Sequence, residues 1–502
     1  MRLFGDRAPC SHSAPHLLCS WILVYLVAYH LITYPYQRRN PMTSQQRLAR
    51  VPGIGVASQY RRLTRRHAIA VGALATAAGP VLAACDAPAA GRPAEAPAKG
   101  RVEVGLIAAR WVIDEWGLPQ WVEQYNKESP SAMIKLEQVP DGWQAKVLSM
   151  IREGSLVWDG VGIMTPFIDK VQWVESGMIQ PIDQYVQVST VDGAKTILGD
   201  LVPTVKQDVT YKGQIYGIPY SVEAIGLMWY TEYLGGIGLR EPPGTWDALL
   251  DAAKKIQIQF RSQEVVPFAW VPAIHTSLQA LIHAATDKPY TSEGLLDITG
   301  PASMRALRFM RSLVEEGLTP PHGSDGYLDL WQRSKLALLL AQNSRGVWAQ
   351  RIFGPDKADT GPVPVAMRAG PQSGTPFWSN TFVVFNGAKH PQQLVDFYIW
   401  LLGPKNDKVQ QAIIESGKAP VLDSIYKSKI ENNQRFRWMA RFRDLIAASV
   451  PYPENTFWSI QNSKIMPWIN RLMEKGSTLS LEEAMNNALQ EIREEVAKQK
   501  VR

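Results

Sequence analysis

The chain carries 17 tryptophans and none of the short motifs that mark the common enzyme chemistries. H-E-x-x-H, G-x-x-x-x-G-K-S/T, C-x-x-C and G-x-S-x-G are all absent. Cysteine stops at Cys85, so the body has neither a disulfide nor a thiolate metal site. His275, His283, His322 and His390 are scattered, and each reads as a core or surface histidine. No catalytic residue, metal or cofactor is expected. What remains for chemistry is aromatic rings and carboxylates. A polyhydroxylated solute offers apolar C–H faces between rims of hydroxyl groups. Flat aromatic rings cover the faces, and carboxylates and amides accept the hydroxyl protons.

The elements that would position such residues follow from hydrophobic spacing. Val102, Val104 and Leu106 alternate with Glu103 and Gly105, which predicts a strand. Pro119 opens a helix bearing Trp121, Val122 and Tyr125, and Ile134 and Leu136 mark a second strand. Asp141 is placed to cap a helix carrying Val147, Leu148 and Ile151, and Val157 to Ile163 reads as a third strand. Alternating strands and helices predict a parallel sheet with helices on both faces. Ligands of such sheets bind beyond the carboxyl ends of the strands. Those ends gather Arg110-Trp111, Asp141-Gly142-Trp143 and Met164-Thr165-Pro166 around one mouth.

The stretch Gly213 to Phe260 organises the rest. Gly217 and Pro219 interrupt its start, and Ile225, Leu227 and Trp229 alternate with Gly226 and Met228, as in a strand. Pro242 and Pro243 bar any earlier helix, Thr245 can cap, and Trp246, Leu249, Leu250, Ala253, Ile256 and Phe260 form one helical face. Tyr216-Gly217-Ile218-Pro219, the aromatic-ended run Leu227 to Tyr230, and Pro242-Pro243-Gly244-Thr245-Trp246-Asp247 together resemble the family 1 solute-binding proteins of ATP-driven importers, the group that includes maltose-binding proteins. Ser176 to Asp183, and Leu336 to Leu340 leading to Gly346-Val347-Trp348, resemble further elements of that family.

The resemblance implies an α/β chain with the two-lobe periplasmic-binding-protein fold (type II), each lobe a mainly parallel sheet flanked by helices, with a hinge between. The strand after Pro219 would cross between lobes, and Thr381 to Phe385 would return. Lobe one is then 101–222 plus about 379–425, and lobe two about 226–377 plus 426–502. Pro391 opens a helix that Gly403-Pro404 ends, and Ser480 with Glu483 has capping-box spacing.

The resemblance also assigns residues. Pro219-Tyr220-Ser221-Val222-Glu223-Ala224 matches a segment whose Glu faces the cleft of maltose-binding proteins, so Glu223 is either a hydroxyl acceptor or a salt-bridged hinge carboxylate. Trp348 and Trp458 fall at stacking positions of the family, and either could instead be core. Tyr220, Trp111, Asp141, Trp143, Trp270 and Trp378 complete the candidate ligand-binding set. The sequence departs from maltose-binding proteins after the third strand, where Thr165-Pro166-Phe167 replaces an acidic–basic pair. That departure argues against a maltodextrin, not against the family.

The formal charge of +7 belongs to the leader. Residues 1–85 hold ten Arg, no Lys and one acid, so of 53 basic and 46 acidic residues the rest of the chain keeps 43 and 45. Nothing there suggests a nucleic-acid partner. Leu17 to Tyr34 is an apolar run of marginal membrane length. Either it is an anchor, or translation starts at Met42 and 1–41 is a mis-called extension. The second is favoured, because an export signal follows Met42: basic residues, an apolar segment, and Leu82-Ala83-Ala84-Cys85, a bacterial lipobox that places a lipid on Cys85. Thr64-Arg65-Arg66 resembles a twin-arginine signal, although Ala68 stands where Phe is usual, so the export route is left open. Asp86 to Gly100 is an Ala/Pro/Gly tether.

The implied function is the extracytoplasmic, lipid-anchored binding component of an importer, a monomer that captures a sugar-like solute and delivers it to a membrane permease and ATPase. Two alternatives stand beside it. One is a secreted glycoside hydrolase using a carboxylate pair such as Glu223 and Asp159, and the other is a solute sensor for a membrane kinase.

Overall fold

The computed structural model describes residues 100–320, 326–354, 356–367, 370, 372–454 and 457–500. The leader, Cys85, the tether before Gly100, and His322 lie outside the described residues. The strands are β1 (Val102–Ala108), β2 (Ala132–Gln138), β3 (Gly160–Met164), a hairpin of β4 (Thr210–Tyr211) and β5 (Gln214–Ile215), β6 (Ile218–Tyr230), β7 (Val266–Trp270), β8 (Leu336–Gln342), β9 (Ala358–Gly361) and β10 (Phe377–Val384). All but the hairpin join one sheet in the order β2-β1-β3-β10-β6-β8-β7, with β9 also on β6.

The sheet is mixed, where the sequence led us to expect mainly parallel sheets. β1 lies parallel to β2 and β3, and β7 parallel to β8. β10 is antiparallel to β3 and β6, and β6 is antiparallel to β8 and β9. The reason is the path of the chain: β6 leaves the first lobe and β10 re-enters it, so the two strands pass the junction in opposite directions.

β6 is the shared element. Its residues Ile218 to Ala224 pair with β10, and Ile225 to Tyr230 pair with β8 and β9. All 13 of its residues are buried, so the alternation seen in the sequence marks two covered faces rather than one wet and one dry. Gly226 is required by closeness: a Cβ there would sit 2.3 Å from the Phe442 ring and 2.6 Å from the Gly361 carbonyl oxygen. Where β6 passes from one partner to the next, Asn343 splices the ladder. Its N–H donates to the Ala224 carbonyl, and its Oδ1 accepts from the Ala224 N–H, both at 2.9 Å.

Two hydrophobic cores flank this junction. The first packs β1 to β3, the start of β6 and most of β10 against helices that include Pro391–Leu402. The second packs the end of β6 with β7 and β8 against helices Trp246–Gln259, Pro301–Glu315 and Trp458–Leu472. Residues 426–446, grouped with lobe two by the sequence reading, place Tyr426, Ile430, Trp438, Met439, Phe442 and Ile446 in the first core.

Local signals explain most element starts. Thr245 Oγ1 accepts from Ala248 N–H at 3.4 Å, and Ser480 Oγ accepts from Glu483 N–H at 3.2 Å. Asp141 does not cap. The helix Trp143–Glu153 begins after Gly142 at φ 64°, with no side-chain cap. β3 is also shorter than the apolar run suggested, because Val157 is 60% exposed and precedes the sheet.

Candidate functional site

The carboxyl ends of β1, β3, β7 and β8 all lead to the junction. They are followed by Arg110–Glu115, Pro166–Glu175, Ile274–Thr276 and Ser344–Phe353. Two groups of side chains meet there, and β6 joins them: Glu223 stands directly opposite Trp378 of β10 in an antiparallel pair. Side chains so placed project from the same face with their Cβ atoms about 5 Å apart.

The first group is polar. Glu223, 4% exposed, pairs through Oε1 with the Lys418 ammonium. Lys418 also lies 3.3 Å from Glu115 Oε2 and 5.3 Å from the centroid of the Trp111 ring. Trp111 in turn lies 6.5 Å from Tyr220, which packs on Trp116 at 5.6 Å. Burial works to lower the Lys418 pKa, but the charges of Glu223 and Glu115 outweigh it and raise it, so the lysine stays charged. Glu115, on the rim, is raised above the ordinary carboxylate range. Desolvation raises it, Lys418 opposes that, and Glu223 adds to it. Among the described residues, Glu223 Oε2 is buried without a hydrogen-bond partner, as is Arg345 Nε in the first turn of Ser344–Phe353. Arg345 adds a second positive charge that acts on Glu115, so the formal charges of these four residues sum to none.

The second group is aromatic. Phe167, from the helix after β3, inserts its ring among side chains of the second core. Tyr452 stacks on it at 4.5 Å and 16°, and Trp458, Trp378 and His275 surround it at 5.2, 5.7 and 5.8 Å. Burial pushes His275 down to about 4, so its imidazole is neutral near pH 7. His275 Nδ1 and Trp458 Nε1 are buried without hydrogen-bond partners among the described residues. Trp458 begins its helix directly after Phe457, held in the left-handed region at φ 46°, ψ 41°. Such a conformation costs a bulky residue on the order of 1–3 kcal/mol and persists where surrounding structure enforces it. Behind the box, Tyr452 donates to Gln279 Oε1 at 3.2 Å, and Gln279 donates to the Tyr290 hydroxyl at 2.9 Å, fixing the stacking ring from its far edge.

The structure therefore brings Glu223, Tyr220 and Trp111 into one group and Trp378 and Trp458 into the adjoining one. Glu223 forms an ion pair at the crossing, and its second oxygen has no hydrogen-bond partner among the described residues. Trp348 is half-buried on the second core, edge-on to Phe353 at 6.1 Å. Trp270 packs on Phe268 at 5.9 Å. Trp143 is buried in the first core against Trp173 and Phe385, and Asp141 is exposed in the turn before it. Asp159 accepts from Gly105 N–H at 2.9 Å and His390 N–H at 2.8 Å, so it anchors the start of β3 and forms no carboxylate pair with Glu223. Lys418, Glu115, Arg345 and Tyr452 were missed from the sequence. Phe167 was noticed there only as a departure, and His275 only as a scattered histidine.

Comparison with known proteins bears on this arrangement. The profile of the bacterial extracellular solute-binding proteins matches residues 120–436. A binding protein of Brucella abortus is 21% identical over 231 residues, 43% of this chain and 52% of that protein. The lactose-binding protein of Rhizobium radiobacter is 22% identical over 219 residues, 42% of this chain and 50% of that protein. The chain thus spans about half the length of the curated relatives it matches. Among solved structures, the sugar-binding protein of the phytopathogen Xanthomonas citri superposes with a TM-score of 0.65 at 16% identity, covering 79% of this chain and 98% of that one. The maltotriose-binding protein of Thermus thermophilus, with maltotriose bound, gives 0.63 at 18% identity over 78% and 100%. A solute-binding protein of Agrobacterium vitis with bound D-mannitol gives 0.59 at 17% over 79% and 99%. At these identities the likeness is one of fold: two lobes of mixed sheet and helices.

Proposed function

The chain belongs to the bacterial extracellular solute-binding proteins, and from that premise we propose that it captures a carbohydrate-like solute between its lobes and delivers it to the permease and ATPase of a membrane importer. One observation carries the reading. The strand common to both lobes sets a buried carboxylate, one oxygen of which has no hydrogen-bond partner among the described residues, in one group with the rings of Trp111 and Tyr220. A hydroxylated ring needs that pairing of acceptor and flat apolar faces. The balanced charge of the polar group suits an uncharged solute better than a phosphorylated one. Relatives of like fold carry maltotriose and D-mannitol, which supports a saccharide or polyol.

In this reading the two lobes meet at Ala224 to Ile225, Asn343 and Thr375 to Pro376. Residues 426–446 move with lobe one because their apolar side chains lie in its core. The protein is a monomer with no enzymatic step of its own, tethered by a lipid on Cys85.

The test is a thermal-shift panel of the purified protein against lactose, maltose, maltotriose, D-mannitol and matched sugar phosphates. A solute at a hundredfold excess over its dissociation constant adds about 2.7 kcal/mol of apparent stability. At least one uncharged member should raise the transition. A response to phosphorylated members alone would overturn the reading.

A further inference from the structure

We infer that Phe167 is a built-in plug of the aromatic subsite, and that it limits the protein to a short solute held at the Glu223 end of the cleft. The inference rests on the carbohydrate reading above. Phe167 is rooted in the first lobe, but its ring is buried with the second core. Its base is rigid. Pro166 occupies the first helical turn, and Asp169 Oδ2 accepts from Thr165 N–H at 2.9 Å, which fixes the turn that aims the ring. The ring fills a slot bounded by Tyr452 on one face and by Trp378, Trp458 and His275 around it. A slot that takes a six-membered aromatic ring has the breadth to take a pyranose.

The walls of the slot show what it could otherwise hold. Among the described residues, Trp458 Nε1 and His275 Nδ1 are buried there without hydrogen-bond partners, and a phenyl ring offers neither a conventional hydrogen bond. Unpaired buried polar groups are unfavourable, so the plugged slot is polar surface closed by an apolar ring. A hydroxylated ring in its place would satisfy both nitrogens. Because Trp378 stands opposite Glu223, the slot adjoins the polar group. A solute held at Glu223 would extend into the slot if Phe167 were gone. Phe167 therefore sets the length of solute accepted, and with the lobes closed it also latches them together.

The experiment is calorimetric titration of the wild type, Phe167→Ala and the milder Phe167→Leu with a series from monosaccharide to tetrasaccharide, plus solution scattering of each protein without solute. The wild type should bind the shortest members best and gain nothing from added rings. Phe167→Ala should bind the member one ring longer at least tenfold tighter than wild type does, with Phe167→Leu between them. Without solute, Phe167→Ala should be the more extended particle. Wild-type affinity that climbs with each ring, unchanged in the variants, would overturn the plug while leaving the carbohydrate reading intact. If no saccharide binds any of the three proteins, that reading fails. The plug then stands or falls on scattering, where identical profiles for wild type and Phe167→Ala would overturn it.

Discussion

Replacing Lys418 by Met probes the polar half of the site through the cation that Glu223 and Glu115 share. The side chain is buried, its ammonium touches Glu223 Oε1, and it lies 3.3 Å from Glu115 Oε2. Methionine fills the same space and leaves the two carboxylates facing each other. Removing one partner of a buried ion pair costs about 3–5 kcal/mol, because the remaining charge is uncompensated. Glu115 adds little to that figure, since its side chain is 38% exposed and solvent screens it. For a lobe of roughly 200 residues the loss lowers the melting temperature by about 10 °C.

The pH dependence separates this cause from simple loss of packing. Glu115 is already raised above its ordinary value, by desolvation first and by Glu223 in addition, while Lys418 holds it down. Without the lysine, the carboxylate pair takes up a proton more readily in the folded state than in the unfolded one. A carboxyl whose folded pKa is raised costs stability as pH rises through the window between its unfolded and folded values. The deficit should therefore be large at pH 8 and should shrink towards pH 5. Differential scanning calorimetry at both values reads it directly. An equal deficit at both, or none at either, would refute the argument that an uncompensated charge is the cause.

Two further outcomes follow from single residues. Asp169 is fully buried and raised to about 7 by desolvation, partly offset by its bond from Thr165 N–H. Its contribution to folding therefore falls as pH rises from about 4 towards 7, and Asp169→Asn should flatten the melting temperature over that range. An unaltered pH profile would show that Asp169 titrates normally. Cys85→Ala should move the exported protein from the membrane fraction to the soluble one, and a variant that stays membrane-bound would place the anchor elsewhere, with Leu17 to Tyr34 the first region to examine.

The crossing strand was legible because its signals are local. Tyr216 to Pro219, the apolar run to Tyr230 and the Pro-Pro-x-Thr-Trp helix start lie within about 45 residues, and each has a backbone cause. The same holds for Thr245 and Ser480 as caps. The mixed sheet was not legible, because strand direction at the junction depends on where the chain returns, some 150 residues later. The site was half legible. Glu223 and Trp458 could be singled out through the family resemblance and Trp378 by type and setting, but the partner of Glu223 lies 195 residues away on a turn with no motif of its own. Phe167 could be seen as an apolar residue where a charged pair was expected, yet its insertion into the other lobe is a tertiary fact. Trp143 and Trp348 show the converse. The position of Trp143 after a predicted strand suggested a mouth, and it is buried in the first core, while Trp348, which the resemblance offered as a stacking ring or a core aromatic, lies half-buried on the second core.

The account turns on Glu223 Oε2 as the acceptor that a solute completes, and calorimetric titration of Glu223→Gln tests this most directly. Glutamine keeps the size, and its amide oxygen can still accept from the Lys418 ammonium, but the buried lysine loses its main counter-charge, so the variant should fold with a lowered melting temperature. Hydrogen bonds to a charged group contribute about 1.5–3 kcal/mol. At a temperature where it is fully folded, the variant should therefore bind the best uncharged sugar or polyol of the panel roughly ten- to a hundredfold more weakly. Binding equal to wild type in a normally folded variant would contradict the account and leave Glu223 as a structural residue of the lobe crossing.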